Sequence, residues 1–203
     1  MKELSSSPSV DWVAILNENT ELNLRNLYAF SQTKAEYKPR EHKLFIGRGL
    51  KDAESTIIHH FDSFERSGVM FPDLDAGFFL SRALLEDISE RILASKVPSD
   101  FNIDAIYEFA KFVYQEGKGV SLTNLDEFCG NTKPKNPEKC ITHPRSEYVC
   151  LKKKQTQSYE EILSKSFFAV KTCKEFHESR VSVVKNTWGK YPKNIQYFSE
   201  VSS

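Results

Sequence analysis

The sequence predicts an α/β fold, and three observations carry that reading. Trp12-Val13-Ala14-Ile15-Leu16 and Phe167-Phe168-Ala169-Val170 are short continuous apolar runs, the pattern of strands covered on both faces. Each runs into a polar turn and then an amphipathic segment. Between them, Leu84, Leu85, Ile88, Ile92 and Leu93, and then Ile103, Ile106, Tyr107, Ala110, Val113 and Tyr114, recur at helical spacing. With 203 residues, 39% of them apolar and including 15 Phe and 8 Tyr, the chain is long enough for one full domain or one plus part of another.

The elements follow in order. After the first strand, Asn17-Glu18-Asn19 forms a polar turn, and Thr20 is expected to cap a helix with Leu24, Leu27 and Tyr28 on one face. Residues 34–43 are polar, contain Pro39 and read as a loop. Leu44-Phe45-Ile46-Gly47 reads as a strand stopped by glycine, and the β-branched run Ser55–Phe61 as another. Gly77-Phe78-Phe79-Leu80 leads to Ser81, a predicted N-cap for the Leu84 helix, which Val97-Pro98-Ser99-Asp100 breaks. The Ile103 helix is closed by Gly117 and Gly119, and Val120–Leu122 is expected to be a short last strand. Residues 129–158, rich in Pro, Lys, Asn and Thr without periodicity, read as a linker or a cysteine-pinned loop. An ordered pattern restarts at Glu160 and carries the second apolar strand into Lys171-Thr172 and a helix whose core residues are Phe176, Val183, Val184 and Trp188.

Composition narrows the function. Lys+Arg and Asp+Glu are both 28, a balance that argues against a nucleic-acid partner. The run Lys152-Lys153-Lys154, with Gln, Thr and Ser after it, reads as a solvated linker. No apolar run approaches the roughly 20 residues that span a bilayer, and Met1–Pro8 holds no apolar signal core. Taken alone, these facts describe a soluble intracellular protein. Cys129, Cys140 and Cys150, with ten and nine residues between them, do not match a tight zinc pattern. Free thiols and a disulfide within the cluster both remain open, and a disulfide would place the chain in a secretory compartment.

Several groups are candidates for chemistry. Asn17-Glu18-Asn19 ends a buried strand, where hard cations find oxygen ligands, but Glu18 alone is charged and a polar turn is the simpler reading. His59 and His60 point to opposite faces of a strand and do not share a metal. Asp73 and Asp75 read as turn residues, with a carboxylate pair as the alternative. Asp100 reads as a helix cap, with a general base as the alternative. Lys171-Thr172, between a buried strand and a helix start, combine a cation, a hydroxyl and free backbone N–H groups able to receive part of a nucleotide.

The run Val170–Arg180, closed by Thr187-Trp188, resembles the opening of the catalytic domain in Fringe-like glycosyltransferases. Ile46–His60, Phe71–Gly77, Ser99–Asp104 and Glu127-Phe128-Cys129 resemble the branch of that family that places β-1,3-linked glucose on O-linked fucose of thrombospondin type 1 repeats. The resemblance implies Rossmann-like, GT-A type architecture in two tandem Fringe-like domains. It assigns residues 1–131 to the C-terminal part of a degenerate first domain, 132–158 to a cysteine-bearing linker, and 159–203 to the start of the catalytic domain. It implies UDP-glucose as donor, Mn2+ or a similar divalent ion, an Asp base, fucosylated repeat proteins as partners, and residence in the endoplasmic reticulum lumen or membrane. Lys171 and Thr172 match the donor-side turn. Asn17-Glu18-Asn19 stands where the family carries an acidic triplet, leaving Glu18 as a vestige of a metal position. Asp75-Ala76 replaces a Gly-Gly turn, Cys129-Gly130 replaces a metal histidine, and Asp100 falls close to the base position. The resemblance also makes disulfides among Cys129, Cys140 and Cys150 expected. On this reading both ends are truncated, the chain is an inactive fragment, and a non-catalytic acceptor-binding or scaffold role is the alternative.

Overall fold

The computed structural model describes residues 10–51, 69–94, 104–130, 136–145 and 159–199. Its centre is the apolar run predicted as the first strand, β1 (Trp12–Asn17). Two elements of the same sheet flank it. On one side β9 (Ser166–Thr172) pairs in parallel along the whole of β1, from Trp12 opposite Ser166 to Asn17 opposite Lys171. On the other, β6 (Phe78–Ser81) pairs antiparallel, Trp12 opposite Ser81 and Ile15 opposite Phe78. Beyond β9 lies β10 (Ile195–Ser199), and beyond β6 lie β3 (Phe45–Gly47) and β7 (Thr123–Asn124), giving the six-stranded order β10-β9-β1-β6-β3-β7. The pairings make β6 the one strand of the six that runs against the others. A separate two-stranded ladder pairs β4 (Gly49–Leu50) antiparallel with β5 (Phe71–Pro72).

The division expected at 158/159 meets this sheet in its middle. Strands β9 and β10, from 159–203, continue the ladder of β1, from 1–131. The sheet is mixed rather than all parallel, and helices accompany it: α1 (Leu24–Thr33), α2 (Arg82–Ala94), α3 (Ala105–Tyr114), α4 (Glu160–Ser164) and α5 (Ser182–Asn186).

Alternation along the strands assigns each side chain to a face. Ala14, Leu16, Ile46, Phe79, Phe168 and Val170 join Leu27, Phe30, Phe128 and Trp188 in one core. Phe45, Phe78 and Leu80 join Leu84, Ile88, Ala110 and Val113 in the other. All four residues of β6 are buried, which is why that stretch reads as continuously apolar up to Ser81. Phe79 and Phe128 meet edge to face, ring centroids 5.1 Å apart, and anchor the chain after β7 beneath the sheet.

Local chemistry explains the helix starts. The Ser81 hydroxyl accepts from Leu84 N (3.3 Å), the N-cap role its position predicts, and donates to the His42 carbonyl (2.7 Å). Asp104 caps α3 by accepting from Ile106 and Tyr107 N. The end of α3 is left-handed over Gln115, Glu116 and Gly117, in line with the predicted glycine stop. Thr20 does not cap α1. It lies in a short strand, β2 (Thr20–Leu22), and the cap is Asn23, whose side chain accepts from Asn26 N. Leu93 stays 68% exposed despite its place in the stripe, and the short strand expected at Val120–Leu122 lies one step later, at Thr123–Asn124.

Part of the stretch 129–158 is built into the fold. Cys129 and Cys140 form a disulfide, and β8 (Thr142–Pro144) pairs antiparallel with β2. Asn26 Nδ2 donates to the carbonyls of Glu138 (2.8 Å) and Cys140 (2.7 Å), tying the disulfide loop to α1. Ile141 is 1% exposed, so the segment contributes to the core. The strand predicted at Ser55–Phe61 lies outside the described residues, as do His59, His60, Asp100, Cys150 and the run Lys152-Lys153-Lys154.

Candidate functional site at the carboxyl ends of β1 and β9

In open α/β sheets, ligands bind beyond the carboxyl ends of parallel strands. Here that place is the joint end of β1 and β9. The register sets Asn17 beside Lys171, and Glu18 N donates to the Lys171 carbonyl (3.1 Å), so the two polar turns singled out in the sequence lie side by side.

The Asn17 turn is wired to the loop before β6. Asn17 N donates to Thr20 Oγ1 (3.1 Å), Asn17 Nδ2 to Asp75 Oδ1 (3.1 Å), and the Thr20 hydroxyl to the Asp75 carbonyl (3.0 Å). Asn17 Oδ1 accepts from Asn19 N (3.3 Å). Asp73 turns back on its own loop, its Oδ1 accepting from Asp75 N (3.0 Å), which is the turn role expected of that pair. Gly130 packs against the same loop. A Cβ there would stand 2.2 Å from Asp73 Oδ2 and 3.0 Å from Arg48 Cδ, so those side chains would have to shift to admit one. Thus Asn17, Glu18, Asn19, Asp73, Asp75, Gly130 and Lys171, scattered over 155 positions, converge on one sheet end.

Glu18 is the charged member of its triplet, and it is 8% exposed. A carboxylate so buried demands a counter-charge. Arg180 supplies it: its Nη1 donates to Glu18 Oε1 at 3.1 Å. The guanidinium also lies over the Phe176 ring, 3.6 Å from its centroid, which fixes its plane. Arg180 stands in the segment leading into α5, so this pair joins the region after β9 to the end of β1. Sequence reasoning gave Arg180 no role. The signal that could have found it is Glu18 itself, a lone carboxylate at the end of a buried strand and so in need of a cation.

These residues do not fit the divalent ion that the resemblance implies. A hard cation is held by several carboxylate or carbonyl oxygens. The Glu18 carboxylate is already neutralised by a guanidinium, the Asn17 amide is committed on both of its ends, and a dication at Glu18 would meet Arg180. Among the described residues, no three His, Cys, Asp or Glu side chains are gathered as a metal set.

The two donor-side candidates differ. Lys171 is exposed at the rim of the site. Thr172 is 4% exposed and its hydroxyl donates to the Cys173 carbonyl at 3.4 Å, so its side chain faces the protein interior. Cys173 is a free thiol.

Residues 162–203, the segment that supplies β9, Lys171 and Arg180, match the family described as Fringe-like. Over nearly its whole length the chain is similar to proteins named beta-1,3-glucosyltransferase. The identity is 37% over 194 residues with that of Mus musculus, covering 93% of this chain, and 33% over 195 residues with that of Homo sapiens, covering 96%. In both cases the chain spans 36% of the relative's length. Among the described residues, no helix is long and apolar enough to cross a membrane.

Proposed function

We infer that this chain is part of a protein that transfers glucose from UDP-glucose, in β-1,3 linkage, to O-linked fucose on thrombospondin type 1 repeats in the endoplasmic reticulum. Within it, the residues described here form a non-catalytic scaffold for the acceptor. The similarity to two beta-1,3-glucosyltransferases along nearly the whole chain, with a Fringe-like match at 162–203, supports the reaction class. In that reaction the fucose hydroxyl attacks the glucose C1, the bond to the diphosphate breaks with inversion, and the hydroxyl proton passes to a base.

The Glu18–Arg180 pair carries the assignment of a supporting role. It closes the end of β1 with an internal cation at the position the resemblance marks as a vestige of a metal site. Mn2+ and UDP-glucose therefore have no seat at Asn17-Glu18-Asn19. Lys171, exposed beside this closed end, is one side chain able to face an anionic ligand.

The test is a transfer assay and a binding assay on the same preparation. With UDP-glucose, Mn2+ and a fucosylated repeat, this chain is expected to give no glucosylated product, and measured transfer overturns the supporting role. Calorimetry against the folded repeat is expected to show heat of binding, and silence at high concentration counts against the acceptor scaffold.

A further inference from the structure

A cleft of about 290 Å³ lies between α2, the end of α3 and the chain entering β3, lined by Lys43, Asp87, Arg91, Gln115, Lys118 and Gly119 among others. Lys43 precedes β3, which runs parallel to β1, so this cleft opens at the end of the sheet opposite to Asn17 and Lys171. It is independent of the site described above.

We propose that this cleft binds a tetrahedral oxyanion, phosphate or sulfate, free or as a monoester. Three cations and one carboxylate line it, which leaves an excess of positive charge. Arg91 is already set in place. Its Nε donates to Asp87 Oδ2 (2.9 Å), its Nη1 to the Phe112 carbonyl (2.7 Å), and its guanidinium lies 4.4 Å from the Phe112 ring centroid. The remaining nitrogen, Nη2, is buried with no hydrogen-bond partner among the described residues. A buried unpaired guanidinium N–H is costly unless something accepts from it. Lys43 is held at the same place by Asp87 Oδ1 (2.5 Å) and keeps further ammonium hydrogens. Lys118 enters the cleft from a loop whose Gln115 and Glu116 have φ of 49° and 55°, a left-handed conformation unusual for side-chain-bearing residues. A fixed guanidinium donor flanked by two ammonium groups matches the three or four acceptor oxygens of such an anion.

The experiment is calorimetric titration of the full chain with inorganic phosphate, against chloride at matched ionic strength. Sulfate and phenyl phosphate arms separate the free anion from an ester. Lys118→Met removes an exposed loop charge and leaves the fold intact, and Arg91→Lys keeps the charge but loses the fork. Saturable phosphate binding, weakened about tenfold in each variant, is expected, the loss of one charge-assisted hydrogen bond. Absence of saturable binding, or equal binding by both variants and the parent, overturns the proposal.

Discussion

Replacing Arg180 by methionine removes the cation that holds Glu18 and keeps most of the aliphatic packing. Two limits bound the cost. Breaking a fully buried pair by deleting one partner costs about 3–5 kcal/mol, and an exposed pair is worth about 0–1 kcal/mol. The Glu18 side chain is 10% exposed and that of Arg180 is 38%, so the pair lies between them, at about 2 kcal/mol after screening on the arginine side. Loss of the contact over Phe176 adds about 0.5 kcal/mol. Urea unfolding of the parent, Arg180→Met, Glu18→Gln and the double variant gives the coupling directly. The single arginine variant is expected to lose about 2–3 kcal/mol, and Glu18→Gln in that background to recover part of it, because no bare carboxylate then remains. Equal slopes against urea would confirm that stability, not the unfolded chain, has changed. If Arg180→Met costs under about 0.5 kcal/mol, or the two substitutions simply add, the buried pair is not the clamp described here.

Reduction of the Cys129–Cys140 disulfide, or its replacement by two alanines, is expected to cost about 3 kcal/mol from reopening an 11-residue span, read as a lower urea midpoint that dithiothreitol reproduces in the parent. Asp104→Ala is expected to cost about 1 kcal/mol by leaving Ile106 and Tyr107 N without their cap, measured by the same unfolding curves. Gly77→Ala places a side chain at φ 73° with its Cβ 2.5 Å from Leu16 Cδ2, and a loss of about 2 kcal/mol or more is expected in thermal unfolding. Burial alone would raise the Asp87 pKa, but Lys43 and Arg91 together outweigh it and hold the carboxyl below its ordinary value. A lowered folded-state pKa means a contribution present above the unfolded value of 3.8 and lost as pH falls through the folded value. Asp87→Asn is therefore expected to flatten the acid limb of stability against pH below the ordinary carboxylate range, and an unchanged limb contradicts the pairing.

The long elements were legible because their signals are local. β1 is a contiguous apolar run, and the stripe of α3 closes where consecutive residues turn left-handed. The short pieces were not. β2 has three residues and no room for a period, and Thr20 looked like a cap because its hydroxyl is equally able to bond the carbonyl of Asp75, 55 positions away. β8 hides in a polar, proline-bearing stretch because its pairing with β2 is a long-range fact. The candidate site was half legible: Asn17-Glu18-Asn19 and Lys171-Thr172 were visible as polar turns after buried strands. Their adjacency depends on the parallel register of β1 with β9, which no spacing reveals. The inward turn of Thr172 follows from strand alternation, since Lys171 faces out.

The claim that Arg180 serves Glu18 in place of a metal is tested most directly by titrating Mn2+ into the chain and following the electron paramagnetic signal of the free ion. The account predicts that the signal stays that of free Mn2+ at stoichiometric protein. Loss of the free-ion signal in the parent chain, restored by Glu18→Gln, would contradict it.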